Sequence, residues 1–149
     1  MLITNHVLSG ALVGRVAPGP TAAFGLGVLS HFVLDAIPHW GNKGDIRDNL
    51  GVAVPDGLIG LSTMAWVVAI TAPEDRVRVL AGMAGACLPD LDKPTTVFFG
   101  GSPFPPRFDA FHSDIQRESP RRMPQEVLVA LAGAAAVALH TRRGRRLSA

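Results

Sequence analysis

The sequence predicts an all-α domain, an up-and-down bundle of about five helices with a long irregular loop before the last one. Three observations carry that expectation. The apolar stretches are longer than strands and stop at prolines. Strict alternation is missing, and β-branched runs such as Val67 to Ile70 lie inside longer apolar segments. Small residues recur at close-packing spacing: Gly10 and Gly14; Gly57 and Gly60; Gly82, Gly85 and Ala86; Ala130, Ala134 and Ala138.

The elements follow in order. The first helix is expected over Asn5 to Val16, capped by Thr4 or Asn5 and broken by "APGP". The second runs from Thr21 to Ile37 and ends before Pro38. A polar loop, "GNKGDIRDN" (Gly41 to Asn49), separates it from the third, Val54 to Thr71, where Pro55 and Asp56 suit a first turn. "APEDR" turns the chain into the fourth, Glu74 to Leu88. Residues 89–124, rich in Pro, Gly, Ser and charge, read as the long loop. The fifth helix is Gln125 to Thr141, and residues 142–149 form a basic tail that either touches anionic lipid or is a solvated terminus.

Composition narrows the function. One domain is expected of 149 residues, with 48% apolar and only 17% charged residues. Tyrosine is absent and aromatics are 6%, so no base-stacking surface and no nucleic-acid partner is expected. The single cysteine, Cys87, excludes an intrachain disulfide and a thiolate zinc cluster. A membrane span needs about 20 apolar residues. The third helix with its flanks reaches that length, and so does the second if His31 and Asp35 face inward. Membrane association, with membrane lipid as a partner, is therefore expected. Lys/Arg residues divide evenly between the two ends and leave the orientation open.

The chemistry lies in the ionisable residues that interrupt apolar sequence: His6, His31, Asp35, His39, Asp56, Asp90, Asp92, His112 and Asp114. On an antiparallel bundle all nine fall at one end. Mixed His/Asp sets suit zinc, manganese or iron. His31 and Asp35 stand i,i+4 on one helical face, so both can aim at one ion. His6, His31, Asp35, Asp90 and His112 are the expected metal ligands. His39, Asp92 and Asp114 are candidates for supporting them; the alternatives are rim packing for His39 and plain solvation for the two aspartates. Asp56 is the candidate catalytic base or second-metal ligand, or else a helix cap. Lys93 and Arg107 are candidates for holding a substrate anion.

Four segments, "NHVLSGALVG" (Asn5 to Gly14), "LSHFVLDAIPHW" (Leu29 to Trp40), "LPDLD" (Leu88 to Asp92) and "FHSDIQ" (Phe111 to Gln116), carry a resemblance. Together they resemble the small, predicted membrane-bound metal-dependent hydrolases, which are distantly similar to the all-helical zinc-dependent phospholipases C. The resemblance implies an all-helical fold, a bound divalent metal and hydrolysis of phosphoesters. It places metal ligation on the same five residues. The chain departs from the larger relatives at Lys93, where they carry a histidine, and around His112, where they carry Arg and Thr. The expected function is a metal-dependent hydrolase of a phosphoester or lipid phosphate, acting through a metal-activated water. The rival is a non-catalytic membrane protein whose His/Asp cluster pins helix ends.

Overall fold

The computed structural model of the protein describes residues 1–42 and 46–147, and side chains over 1–42 and 47–141. The described residues form helices and connecting loops with no strand; a lone backbone bridge pairs His39 with Glu118. The α-helices are α1 (Ile3–Val16), α2 (Pro20–Ala36), α3 (Leu50–Ile70), α4 (Arg76–Cys87), α5 (Asp92–Phe99), α6 (Pro106–Ile115) and α7 (Met123–Leu147). The all-α expectation holds, whereas the long irregular loop at 89–124 is corrected. That segment contains a 3-10 turn (Leu88–Leu91), α5, α6 and a second 3-10 turn (Pro120–Arg122). Its prolines misled because Pro89, Pro106 and Pro120 all sit in first turns, where a missing N–H costs no bond. α5 stops at Gly100, whose φ of 81° is left-handed and favours glycine.

Other boundaries move less. α2 starts on Pro20, one residue early. α3 begins at Leu50, after a 3-10 turn at Ile46–Asn49, so Pro55 lies inside it and not at its start. Residues 43–45 of the polar loop lie outside the described residues, as do 148–149 of the basic tail. The backbone of the tail is helical to Leu147.

The helices do not pack simply as successive neighbours. α1 is central and contacts α2, α3, α4 and α7, while α2 and α4 also contact each other. Glycine makes the inner trio possible. A Cβ on Gly82 would stand 3.0 Å from the Gly14 Cα and nearer still to the Gly10 carbonyl; on Gly85 it would run into the Phe24 backbone. Val7, Leu8, Ala11, Val67, Val79, Met83 and Val137 fill the core around this contact. The opposite ends are marked by polar bonds. Arg15 Nη2 donates to Thr71 Oγ1 (3.1 Å) and Arg78 Nη1 to the Ala17 carbonyl (3.0 Å) at one end. The clustered histidines and aspartates, among them His6, His31, Asp35, Asp90 and His112, sit at the other, so helix direction alternates from α1 through α4.

Two segments are long and apolar enough to cross a membrane: Arg47–Ile70, with mean hydropathy 1.6, and Pro120–Thr141, with 1.4. Only 17% and 11% of these stretches are buried by the rest of the protein. α3 was legible as such a segment; α7 reaches the length because its helix starts before Gln125.

Candidate metal centre

The cluster is assembled by the inner trio and its two C-terminal extensions. α1 brings His6, α2 brings His31 and Asp35, the turn after α4 brings Asp90, and α6 brings His112. All five are buried, the first three completely. Proline shapes two of these supports: Pro89 tightens the turn that carries Asp90, and Pro106 starts the helix that carries His112.

His31 sets the geometry. Its Nδ1 lies 2.8 Å from the Ala86 carbonyl. A carbonyl only accepts, so Nδ1 carries the proton and the neutral ring keeps its lone pair on Nε2. That Nε2 lies 2.9 Å from His112 Nε2 and 3.1 Å from Asp35 Oδ2, and His112 Nε2 lies 3.2 Å from the same oxygen. Asp90 Oδ1 is 3.9 Å from His31 Nε2 and 3.7 Å from His112 Nε2. Ligand atoms of these four residues all fall within 4.8 Å of one another. Donors around a tetrahedral zinc at about 2.0 Å stand about 3.3 Å apart, so this spacing suits one ion.

His6 completes the group from the other side. Its ring stacks on His31 with centroids 4.0 Å apart. Its Nε2 is 3.2 Å from Asp35 Oδ1 and 4.0 Å from Asp90 Oδ2, the oxygens that His31 and His112 do not approach most closely. Its Nδ1 has no hydrogen-bond partner, and its Nε2 has only the Asp35 carboxylate at 3.2 Å, although the residue is wholly buried. A buried polar group without a partner is costly unless something binds it. Burial, partly opposed by Asp35, pushes His6 down to about 4, so the ring is neutral and able to ligate near neutral pH.

Two nitrogens already lie against the carboxylates. Met1 N donates to Asp35 Oδ1 at 2.6 Å, and Lys93 Nζ donates to Asp90 Oδ1. Burial is the largest influence on both Asp90 and Lys93 and opposes their charge, but it is outweighed by their neighbours together: Lys93, His6, His31 and the N-terminus around Asp90, and Asp90, Asp92 and Asp35 around Lys93. Asp90 is held below the usual carboxylate range and Lys93 above the usual ammonium range. Lys93, a candidate for holding a substrate anion, is thus engaged by Asp90. Arg107, the other such candidate, is exposed on α6.

The remaining candidates separate. Asp92 Oδ2 lies 3.8 Å from His112 Nδ1, behind the ring as seen from the cluster, and Asp92 Oδ1 is buried without a partner. His39 is buried outside the cluster. Its Nδ1 donates to the Ile37 carbonyl at 2.8 Å, and its backbone bonds to Arg117 and Ser119. Asp114 is exposed. The structure does not bring Asp56 to the cluster: its Oδ2 accepts from Ile3 N (2.6 Å) and its Oδ1 from Thr4 N (3.3 Å) and Thr4 Oγ1 (2.6 Å). It is a cap, but of α1 and not of its own helix.

Two residues missed in the sequence matter here. Glu126 of α7 accepts from Leu2 N (3.1 Å), Asn5 Nδ2 (2.7 Å) and Trp40 N (2.9 Å). In sequence it is an ordinary acid in a helix first turn, with nothing to reveal that it serves another helix. Gln116 donates through Nε2 to Asp35 Oδ2 at 3.3 Å, and that nitrogen is 3.1 Å from His112 Nε2. Its i,i+4 spacing from His112 was the available signal, had 106–115 been read as a helix.

Fold and cluster define a class: an all-helical protein with a buried His/Asp group fit to bind a metal ion, flanked by two helices of membrane-spanning length. No known family model, curated protein or solved structure matches the chain.

Proposed function

We propose that the protein is a membrane-embedded, metal-dependent hydrolase of a phosphoester or lipid phosphate. The observation that carries the reading is the convergence of His31 Nε2, His112 Nε2 and Asp35 Oδ2 within 2.9 to 3.2 Å of one another, at the spacing of ligands around one ion. His6 and Asp90 complete the set, and the mixed nitrogen and oxygen donors favour zinc over magnesium or calcium. A bound divalent ion would supply hydroxide by lowering the pKa of its water. The chain does the rest. The Ala86 carbonyl fixes the His31 tautomer, Asp92 backs His112, and Gln116 steadies Asp35. Lys93 would exchange its contact with Asp90 for a phosphate oxygen, with Arg107 as a second cation on the exposed side. Asp56 acts indirectly, by anchoring the α1 end that carries His6.

Elemental analysis of purified protein tests the site. Stoichiometric zinc in the wild type, lost in His31→Ala with Asp35→Ala, is the expected result. Metal content unchanged by that pair of substitutions sinks the assignment. Hydrolysis of phosphomonoesters and lipid phosphates that depends on the restored metal tests the activity. One observation favours the non-catalytic reading: Lys93 and the Met1 nitrogen already neutralise Asp90 and Asp35. A metal-free protein in which Lys93→Met loses stability would support that reading.

A further inference from the structure

A groove of about 310 Å³ lies along α1 between α3 and α7. Its walls are Leu8, Ile59, Trp66, Ala130 and Leu131. One end is polar, formed by Thr4, Asn5, Asp56 and Glu126. The two carboxyl groups there are saturated by N–H and O–H groups of α1 and by Trp40 N. Asn5 Nδ2 is also used, on Glu126. Asn5 Oδ1 is different: the residue is 2% exposed, yet this oxygen has no partner. A ligand that reaches it must bring a hydrogen-bond donor, and the neighbouring carboxyl groups disfavour an anion.

The groove flanks are the two helices of membrane-spanning length, each mostly uncovered by the rest of the protein. If they face lipid, hydrocarbon is the medium at the mouth of the groove. The polar end is also next to the metal centre. Leu2, which lines the groove, follows Met1, whose nitrogen is 2.6 Å from Asp35 Oδ1.

We propose that this groove holds the hydrocarbon chain of a long-chain lipid bearing a hydroxyl near its head, with the hydroxyl donating to Asn5 Oδ1. This rests on the membrane reading of α3 and α7, and it assigns the groove to the uncharged alcohol that leaves when the hydrolase cleaves the phosphate ester of a long-chain alcohol, not to the charged ester itself. Cleavage of such an ester by water transfers the phosphoryl group to the water oxygen and leaves the alcohol with the O–H that Asn5 lacks.

Trp66 reports on the groove directly. In a Trp40→Phe protein it is the single tryptophan, since the chain has two. The detergent-solubilised protein would be titrated with a chain-brominated C16 alcohol, a contact quencher, and with its methyl ether, which has no donor. Expected is saturable quenching at one alcohol per chain, with the ether about three- to tenfold weaker, as for one lost hydrogen bond. Ala130→Phe, which fills the groove and removes no hydrogen bond, abolishes the saturable part; Ile59→Phe at the exposed rim does the same should the first variant fail to fold. Quenching that only rises linearly with the bromolipid fraction of the micelle overturns the proposal, as does saturation unchanged in the folded variants. An ether that binds as tightly as the alcohol overturns the role of Asn5. The titration needs no metal, so zinc content in the same preparation fails or stands separately from it.

Discussion

The inner trio and the two outer helices are held by different physics. α4 touches α1 and α2 backbone to backbone through glycine, at Gly10, Gly14, Gly27, Gly82 and Gly85. α3 and α7 meet only α1 closely, and each carries one buried carboxyl group, Asp56 or Glu126, that grips the N-terminal end of α1. The trio is therefore fixed by shape, and the outer pair by polar bonds at one end. The ligand cluster is built on the fixed part. His6, His31 and Asp35 belong to the trio, and Asp90 follows it by three residues, so their spacing does not depend on how α3 and α7 settle. The difference teaches that close packing positions the chemistry, while the outer helices are free to present apolar faces and to line a groove.

The comparison can be broken most severely at Gly82. Gly82→Val forces side-chain atoms into the Gly10 carbonyl, and a loss of more than about 3 kcal/mol is expected, seen as failure to reach a cooperative thermal transition. Retention of the wild-type transition would mean that the trio is not closely packed. Acid should also act on the trio first. His6 falls to about 4 in the folded state, below its usual 6.5. The unfolded chain then binds the proton first as pH drops, so stability is full above about 6.5, is lost between about 6.5 and 4, and levels off below. The loss in metal-free protein is on the order of 3 kcal/mol, and His6→Gln should flatten that part of the stability–pH curve.

Glu126→Ala probes the outer pair. It strands Leu2 N and Trp40 N and leaves Asn5 Nδ2 only the backbone carbonyl of residue 126, and about 2 kcal/mol is expected from denaturant unfolding. Metal content should survive, because no cluster ligand is touched; its loss would show that α7 positions the site after all. The smallest effect belongs to Gly57 on α3, where a Cβ meets nothing within 4 Å. Gly57→Ala should be neutral or stabilise by up to about 1 kcal/mol through helix propensity alone. Set beside Gly82→Val, this pair reads the contrast between the two regions in one kind of substitution.

Much was legible in local sequence. Apolar runs ended by proline gave the longer helices, because a proline interrupts a helix by its own geometry whatever surrounds it. The i,i+4 pair His31 and Asp35 followed from helical periodicity, and alternation of direction placed His6, Asp90 and His112 at the same end. Other features depended on who the neighbour is. The prolines of residues 89–124 open helices as readily as they break them. Asp56 read as a first-turn acid and Glu126 drew no reading at all, and only packing shows that both grip the start of α1. Gly57 and Gly82 are alike in sequence, yet one faces open space and the other a carbonyl. By itself the sequence determined the helices, the apolar faces and the ligand types, since these depend on residues a few positions apart. The tertiary structure alone decided which carboxyl groups meet the histidines, which meet α1 and where Lys93 points, because those choices are made by contacts between residues that the chain separates by tens of positions.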